Sequence, residues 1–172
     1  MINFIGNPRL LKCCATSTDL QLAVNYCKDK KILAVDTETT GLNHTEDKMI
    51  MLQIGDQDAQ FVIDTRYVDI SPLRMILESN SIVKILHNVK FDYKFIMNYN
   101  IRLNNVWDTM LTSQVINCGK QMSHSLNNVL SRELEIQIDK SVRSNFIGKS
   151  SVEFTDSEIL YGAKDVEYLV QL

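Results

Sequence analysis

The sequence predicts an α/β domain with a mixed central sheet flanked by helices. Three apolar strand patterns come first, at 32–38, 49–55 and 60–64, and the polar turn from Gly55 to Gln57 predicts an antiparallel meander. Helical and strand patterns then alternate along the rest of the chain. Neighbouring strands followed by such alternation are typical of a sheet with helices packed on its faces.

Capping residues and apolar spacing predict the other elements. A first helix is expected over 18–28, with Ser17 or Thr18 as its N-cap. Ser71 and Pro72 have the order of an N-cap and a first helical turn. The remaining elements are a strand at 82–87, helices at 88–98, 109–117 and 123–133, a short strand ending near Trp107, and a helix at 156–171 that begins with the capping-box pair Thr155 and Glu158.

The composition is that of one globular domain. The chain has 172 residues, 45% of them hydrophobic and 23% charged, which excludes a disordered or fibrous protein. A net charge of −3 argues against a broad basic face that coats duplex DNA, although it allows a local basic groove. The last helical pattern continues to Leu172, so we expect residues 1–172 to be a single domain at the N-terminal end of a longer protein.

The cysteines and apolar runs indicate a cytoplasmic protein. Cys13, Cys14, Cys27 and Cys118 form no CxxC pair, which favours buried, reduced thiols and a reducing compartment. The longest apolar runs are too short for a membrane-spanning helix, and the N-terminal residues have no signal-peptide core. We therefore expect a soluble protein with no membrane partner.

Two acids lie at the end of the first predicted strand. Asp36 and Glu38 are two residues apart, so their side chains share one face of the strand and could bind one divalent ion together. An Asp-x-Glu pair alone is common, and the alternative is a pair of solvated carboxylates. The following Thr-Thr-Gly turn favours the site interpretation because it places both acids at an end of the sheet.

Two later helices carry further candidates. Asp92 lies near the start of the helix expected over 88–98, where an acid that interacts with the helix dipole is the simpler interpretation. Tyr161 and Asp165 are four residues apart in the final helix and therefore share one of its faces. The alternative is a tyrosine packed on the core with an acid at its rim. Other apolar side chains of this helix suffice for packing, which leaves Tyr161 available for a site.

Other polar residues have simpler interpretations. His44, His87 and His124 are expected to be exposed or hydrogen-bonded within the fold rather than to act as bases. Asp108 is expected to organise the helix that starts at Thr109 rather than to bind metal.

Taken in order, three motifs resemble those of the DEDD superfamily of 3′-5′ exonucleases, in its tyrosine-containing branch. These are DTETTGL at 36–42, HNVKFD at 87–92 and YGAKD at 161–165. The segments WDTML at 107–111 and LEIQIDKSVRSNFIG at 134–148 resemble connecting segments of ribonuclease-D-like and family A polymerase proofreading domains, with Phe146 where many relatives have Trp. The resemblance covers the chain from about Leu33 onward and implies a ribonuclease H-like fold.

The resemblance also implies the roles of the site residues. It implies that Asp36, Glu38, Asp92 and Asp165 bind two divalent cations, Mg²⁺ or Mn²⁺, and that Tyr161 orients the attacking water. One ion would lie between Asp36, Glu38 and Asp165, and the other between Asp36 and Asp92.

Contacts with the substrate are expected from a second group of residues. By resemblance the backbone of Thr39 holds the terminal 3′ hydroxyl and Leu42 packs against the last base, with core closure as the alternative for Leu42. Asn88 contacts the substrate backbone or caps its helix. The remaining candidates are Lys140 and Arg143 for phosphates and Phe146 for stacking under a base, with solvated charges as the alternative for the two cations.

Three functions fit these motifs. The leading one is the proofreading exonuclease domain of a DNA polymerase I-like, family A enzyme, which releases nucleoside 5′-monophosphates from single-stranded DNA 3′ ends in a bacterial or phage-infected cell. Such a domain would be fused to a downstream polymerase or helical domain. The second is a ribonuclease-D-like or helicase-linked exonuclease acting on RNA or DNA. The third is a nucleic-acid-binding module that does not cut.

Overall fold

A mixed seven-stranded sheet forms the centre of the described part of the chain in a computed structural model. The described residues are 1–6, 15–138, 141–149 and 153–172. The strands are β1 (Ile2–Ile5), β2 (Ala15–Ser17), β3 (Ile32–Thr39), β4 (Met49–Gly55), β5 (Gln60–Asp64), β6 (Val83–Leu86) and β7 (Val106–Asp108). The helices are α1 (Gln21–Cys27), α2 (Arg74–Leu77), α3 (Val89–Met97), α4 (Thr109–Ile116), α5 (Leu126–Leu134) and α6 (Asp156–Leu169), with 3₁₀ turns at Ser71–Leu73 and Arg143–Phe146.

The predicted meander is confirmed. Strands β3, β4 and β5 pair in antiparallel fashion, with Asp36 opposite Gln53 and Gln53 opposite Val62. Strands β6 and β7 then pair parallel to β3 and to each other, which gives the order β2-β1-β5-β4-β3-β6-β7. The carboxyl ends of β3, β6 and β7 therefore meet at one edge of the sheet.

Two strands were not predicted. Strand β1 pairs in parallel with β5, and β2 pairs in parallel with β1. Both strands are short, with four and three residues. Each is recognised by its pairing with another strand rather than by its own sequence pattern. Residues Phe4 and Ile5 are buried, so the N-terminal strand contributes to the core.

The predicted helix starts at Ser17 and Ser71 are wrong. Ser17 belongs to β2, and the first helix begins at Gln21, whose backbone N–H donates to the Asp19 carboxylate at 2.9 Å. The Asp69 carboxylate likewise accepts from the backbone N–H of Ser71, which already lies inside the 3₁₀ turn. In both places an aspartate two residues before the first helical residue satisfies a free N–H group, so no serine cap forms.

The other helices follow the prediction more closely. The capping box of Thr155 and Glu158 is present at the start of α6. Helix α5 begins at Leu126 rather than at residue 123, and the carbonyl of the preceding His124 accepts from His87. That tertiary contact holds the segment before α5 in a non-helical conformation.

Apolar residues cover both faces of the sheet. One face packs against α1, α2 and α3, with Leu20, Val24 and Cys27 buried as expected. Helix α6 lies across the other face, where it contacts β3, β4 and β5. Three of the four acids of the predicted site lie on β3 and α6, and Asp92 lies on α3. The packing of α6 and α3 on the sheet therefore determines how close these acids come.

The cysteine prediction is correct for one residue and wrong for another. Cys27 is buried and free, and burial raises the pKa of its thiol to about 12. Cys118 is free but exposed, because it lies in the turn after α4. Cys13 and Cys14 lie outside the described residues. Among the helices that are described, none has both the length and the apolar character needed to cross a bilayer.

Candidate active site

Three carboxylates meet between β3 and α6. Asp36, Glu38 and Asp165 each offer an oxygen atom, and these atoms lie within 4.8 Å of one another. Asp36 and Glu38 alternate with Thr37 along β3, and the packing of α6 brings Asp165 over them. Close carboxylates with hard oxygen ligands fit a divalent cation such as Mg²⁺ or Mn²⁺.

A cavity of about 310 Å³ opens over these acids. Asp92 and Tyr161 also line it, so the fold brings together all five residues expected to perform the chemistry. Six lining residues were not expected at the site. Two of them are Thr37 and His87, and the other four are Phe91, Met110, Ser125 and Leu126. These last four are apolar or small and carried no sequence signal for a site.

Asp92 is held by a residue that the sequence analysis missed. Its side chain is only 2% exposed, and one of its carboxylate oxygens accepts a 2.6 Å hydrogen bond from the Thr37 hydroxyl. Thr37 lies between the two acids of β3, and its side chain therefore reaches the sheet face that packs against α3. The alternation of side chains along β3 was the sequence signal that could have identified Thr37. The burial of Asp92 argues against a simple surface acid at a helix start.

The electrostatics of the cavity favour a bound cation. Burial raises the pKa of Asp36 well above its ordinary range, and repulsion from Asp92, Asp165 and Glu38 raises it further. Burial also raises the pKa of Asp92 to about 7, against the lowering effect of the Thr37 hydrogen bond. A divalent cation would offset this repulsion, because it places positive charge among carboxylates that otherwise hold their protons.

Asp108 connects the first turns of two helices. Its carboxylate accepts from the backbone N–H groups of Met110 and Leu111 in α4, and from those of Asn88 and Val89 at the start of α3. The prediction that Asp108 organises α4 is confirmed. The bonds to α3 add a second role, because they fix the start of the helix that carries Asp92.

His87 and His124 make hydrogen bonds within the fold, as expected. The ring nitrogens of His87 bond to the Thr109 hydroxyl and to the His124 carbonyl, both at 2.9 Å. Nδ1 of His124 lies 2.9 Å from the Ser113 hydroxyl. These contacts join α4 to the segment before α5 along one wall of the cavity.

Tyr161 belongs to the cavity and to the core at once. Its side chain is 7% exposed, and its ring lies 6.0 Å from that of Phe146. The expectation that Phe146 stacks under a base does not fit its burial, because this side chain is 1% exposed and also packs against Phe154. Phe146 instead supports the ring of Tyr161.

A buried ion pair holds the segment that contains Phe146. The Lys149 ammonium group bonds to both carboxylate oxygens of Glu158 at 2.8 and 2.7 Å, and Glu158 is also part of the capping box of α6. The backbone N–H of Gly148 donates to the Thr40 carbonyl at 2.9 Å. The segment therefore connects α6 with the loop that follows β3.

The residues expected to contact substrate occupy different environments. Leu42 lines the cavity and is 81% exposed, which contradicts core closure. Asn88 lines the cavity too, but its side chain makes no capping bond to α3, so that alternative is wrong. Thr39 is buried, and its hydroxyl donates to the Gly41 carbonyl. Lys140 lies outside the described residues, and the side chain of Arg143 is not described either.

Solved structures share this fold. The Escherichia coli RNase D structure aligns with a TM-score of 0.79 and 24% identity, over 98% of this chain and 42% of that one. Brucella melitensis NrnC bound to pGG aligns with a TM-score of 0.75 and 24% identity, over 99% of this chain and 76% of the other. These alignments show that the chain has a ribonuclease H-like fold.

The chain belongs to the 3′-5′ exonuclease family, whose profile matches residues 11–172. DNA polymerase I of Aquifex aeolicus is 35% identical over 154 residues, which are 89% of this chain and 25% of the relative. Ribonuclease D of Bartonella henselae is 25% identical over 171 residues, or 98% of this chain and 41% of the relative. The chain therefore spans between a quarter and two fifths of the length of these relatives.

The raised carboxyl pKa values predict how stability depends on pH without metal. The Asp92 carboxyl ionises near pH 4 in the unfolded chain and near pH 7 in the fold, so its proton stabilises the folded state below pH 4. This contribution is lost as the pH rises to about 7. In chelator, we expect the free energy of unfolding to fall over this range by up to about 4 kcal/mol from Asp92 alone.

Urea unfolding at several pH values measures this effect. Asp92→Asn should flatten the dependence on pH and make the metal-free protein more stable than the wild type at pH 8, because residue 92 then carries no buried charge. Asp58→Asn, which changes an exposed acid, is the control. If the free energy of unfolding depended on pH equally in Asp92→Asn and in the wild type, ionisation of Asp92 would not destabilise the fold, which would contradict the prediction.

Proposed function

We propose that this domain is a two-metal 3′-5′ exonuclease that releases nucleoside 5′-monophosphates from single-stranded 3′ ends. The observation that carries the proposal is the convergence of four acids and Tyr161 on one cavity. A phosphodiester is anionic, and its cleavage develops charge on both the entering and the leaving oxygen, so a site for two cations suits this chemistry.

The arrangement of the acids supports a division between two ions, Mg²⁺ or Mn²⁺. Asp36, Glu38 and Asp165 would hold one ion, since their oxygens lie within 4.8 Å of one another. Asp36 and Asp92 would hold the other, because Asp92 is the charge that most strongly affects the pKa of Asp36. When bound, the cations supply Lewis acidity toward the attacking water and the departing 3′ oxygen.

Tyr161 has the setting of a residue that orients water. Its ring is fixed by the core and by Phe146, while the side chain borders the cavity. A phenol held in this way can accept or donate a hydrogen bond with little loss of conformational freedom. We assign to Tyr161 the role of orienting the water that attacks phosphorus. The bond from phosphorus to the 3′ oxygen then breaks, and a nucleoside 5′-monophosphate leaves.

The terminal nucleotide would contact residues at the rim of the cavity. The exposed side chain of Leu42 can pack against the last base, and Asn88 can reach the backbone. The backbone of Thr39 is proposed to hold the 3′ hydroxyl. Lys140 and Arg143 stay proposals for the phosphates farther along the strand. The structure of Brucella melitensis NrnC bound to pGG supports a short nucleic-acid end as the ligand.

Proofreading for a family A polymerase is the more specific function we propose. It is supported by the 35% identity to a DNA polymerase I, against 25% for the ribonuclease D relative described above. The ribonuclease-D-like function is the second candidate, because that match extends over 98% of the chain. We also propose that a polymerase or a helical domain is fused to this one. The proposed location is the cytoplasm. A module that does not cut fits less well because the acids are all present.

The catalytic assignment predicts two distinct losses of activity. Asp165→Asn should reduce Mn²⁺-dependent shortening of a 5′-labelled single strand by at least about a thousandfold, since one ligand of the reactive ion is lost. Tyr161→Phe should slow release by roughly tenfold to a hundredfold while Mn²⁺ still binds. Glu167→Gln, an acid change on the same helix, is the control. Wild-type rates for Asp165→Asn would exclude the assignment.

The exposure of Leu42 predicts a change in substrate affinity without a change in stability. Leu42→Ala should leave the melting temperature unchanged, because the side chain is 81% exposed. It should raise KM for a single-stranded end by about tenfold, since apolar contact with the last base is lost. Met75→Ala, at another exposed apolar position, should change neither quantity. A lower melting temperature with unchanged KM would restore core closure as the role of Leu42.

The two candidate functions differ in their preferred strand. Steady-state release from DNA and RNA strands of identical sequence should show a kcat/KM for DNA at least equal to that for RNA. This preference is expected if the domain removes mispaired nucleotides for a DNA polymerase. A preference of tenfold or more for RNA would instead favour the ribonuclease-D-like function, with the same metal site retained in both cases.

A further inference from the structure

The amide oxygen of Gln53 is buried without a hydrogen-bond partner. Gln53 lies in β4 and is fully buried, and among the described residues its Oε1 is the one buried side-chain polar atom that lacks a partner. Its Nε2 lies 3.1 Å from the Met51 sulfur, which is only a weak acceptor. A buried amide so poorly satisfied is unusual in folded proteins and requires an explanation.

The neighbours of Gln53 include one of the proposed metal ligands. In the sheet, Gln53 stands directly opposite Asp36 on β3 and opposite Val62 on β5. Residues paired in this way project from the same face, with Cβ atoms about 5 Å apart. The charged member of this row is thus Asp36, whose side chain leaves the sheet on the same face as that of Gln53.

Helix α6 closes over the amide at Gly162. A Cβ atom at this position would lie 2.6 Å from Nε2 of Gln53 and 3.0 Å from the Met51 sulfur. Gly162 follows Tyr161 and precedes Asp165 by three residues. The Gln53 amide therefore lies under the turn of α6 that carries Tyr161 and Asp165. The absence of a side chain at Gly162 lets the helix approach and confines the amide between α6 and the sheet.

We propose that Gln53 is a positioning residue for the metal site, which donates from Nε2 to the Asp36 carboxylate when a cation is bound. Carboxylates that bind metal are generally hydrogen-bonded by a second layer of donors, which fix their orientation. Rotation of the amide by 180° exchanges its oxygen and nitrogen without changing its shape, so Nε2 can take the unsatisfied position. The inference rests on the proposed function, since it requires that Asp36 bind a cation.

The glutamine also suits this role better than other residues of similar size. A glutamate would add a negative charge beside Asp36, which already lies among three other acids of the cavity. A methionine would fill the same volume but could not donate to a carboxylate. A donor without charge orients Asp36 and leaves the affinity of the acids for a cation intact.

Binding of Mn²⁺ measured by electron paramagnetic resonance tests the proposal in the absence of substrate. Gln53→Met keeps the volume and removes the donor, and should raise the dissociation constant by about tenfold to a hundredfold. The metal-free variant should melt at or above the wild-type temperature, because the unsatisfied oxygen is gone. Gln60→Met is the matched control, since Gln60 is a buried glutamine whose amide donates to the Asp56 carbonyl, away from the acids.

The outcomes separate this inference from the proposed function. Gln60→Met should lower the melting temperature and leave the dissociation constant within twofold of wild type. Gln53→Met with an unchanged dissociation constant, beside a wild type that binds Mn²⁺, would overturn the positioning role alone. A wild-type protein that binds no Mn²⁺ would instead overturn the metal site and with it the proposed function.

A measurement on the wild-type chain avoids reliance on any variant. In a ¹⁵N-labelled sample, the side-chain amide protons of Gln53 should shift downfield when Mg²⁺ is added to saturation, because a carboxylate becomes their acceptor. The Gln60 amide protons should not move. No shift at Gln53 in a sample that binds Mg²⁺ would contradict the proposal even if Gln53→Met failed to fold.

Discussion

Repulsion among buried carboxylates is the constraint around which this domain is built. Each pair of ionised acids a few ångströms apart in a partly buried cavity opposes folding by an amount on the order of a few kcal/mol. The chain nevertheless holds Asp36, Glu38 and Asp165 within 4.8 Å of one another, with Asp92 on the same cavity. The favourable free energy must come from apolar packing on the two faces of the sheet, on which the position of each acid depends.

Polar contacts away from the cavity determine where these acids lie. Asp108 bonds to four backbone N–H groups at the starts of α3 and α4, and so fixes the helix that carries Asp92. At the other side, the Glu158 carboxylate caps α6 and pairs with Lys149. Both carboxylates are themselves satisfied by donors. Their role is to fix the two helices relative to β3, which a mobile surface acid could not do.

The parts of the site that the sequence predicted are those that depend on local spacing. Asp36 and Glu38 share a face because a strand alternates, and Tyr161 and Asp165 share one because a helix repeats every 3.6 residues. Each of these two pairs shares a face because of its own strand or helix, independently of the tertiary fold. The three ordered motifs, by resemblance, then supplied Asp92, whose own helix gave no reason to expect a buried acid.

The features that were missed depend on contacts between distant segments. The hydrogen bond from Thr37 to Asp92 spans 55 residues, and the pairing of Gln53 with Asp36 requires the register of β3 against β4. Neither can be obtained from a window of sequence. The same holds for β1, which is identified as a strand only through its pairing with β5. Phe146 was misjudged for a related reason, since an aromatic residue in a loop looks the same in the sequence whether it meets a base or the core.

The burial of Phe146 and Tyr161 makes the core and the chemistry interdependent. The ring of Tyr161 lies among apolar residues of β4 and α6, while the side chain borders the cavity. The position of its ring is therefore set by packing in the core. Because interiors are close-packed, a loss of volume at Phe146 would let the tyrosine ring shift. If Tyr161 orients water as proposed, a small displacement of its hydroxyl would strongly lower the rate. Core packing and the proposed chemistry thus depend on the same side chains in this domain.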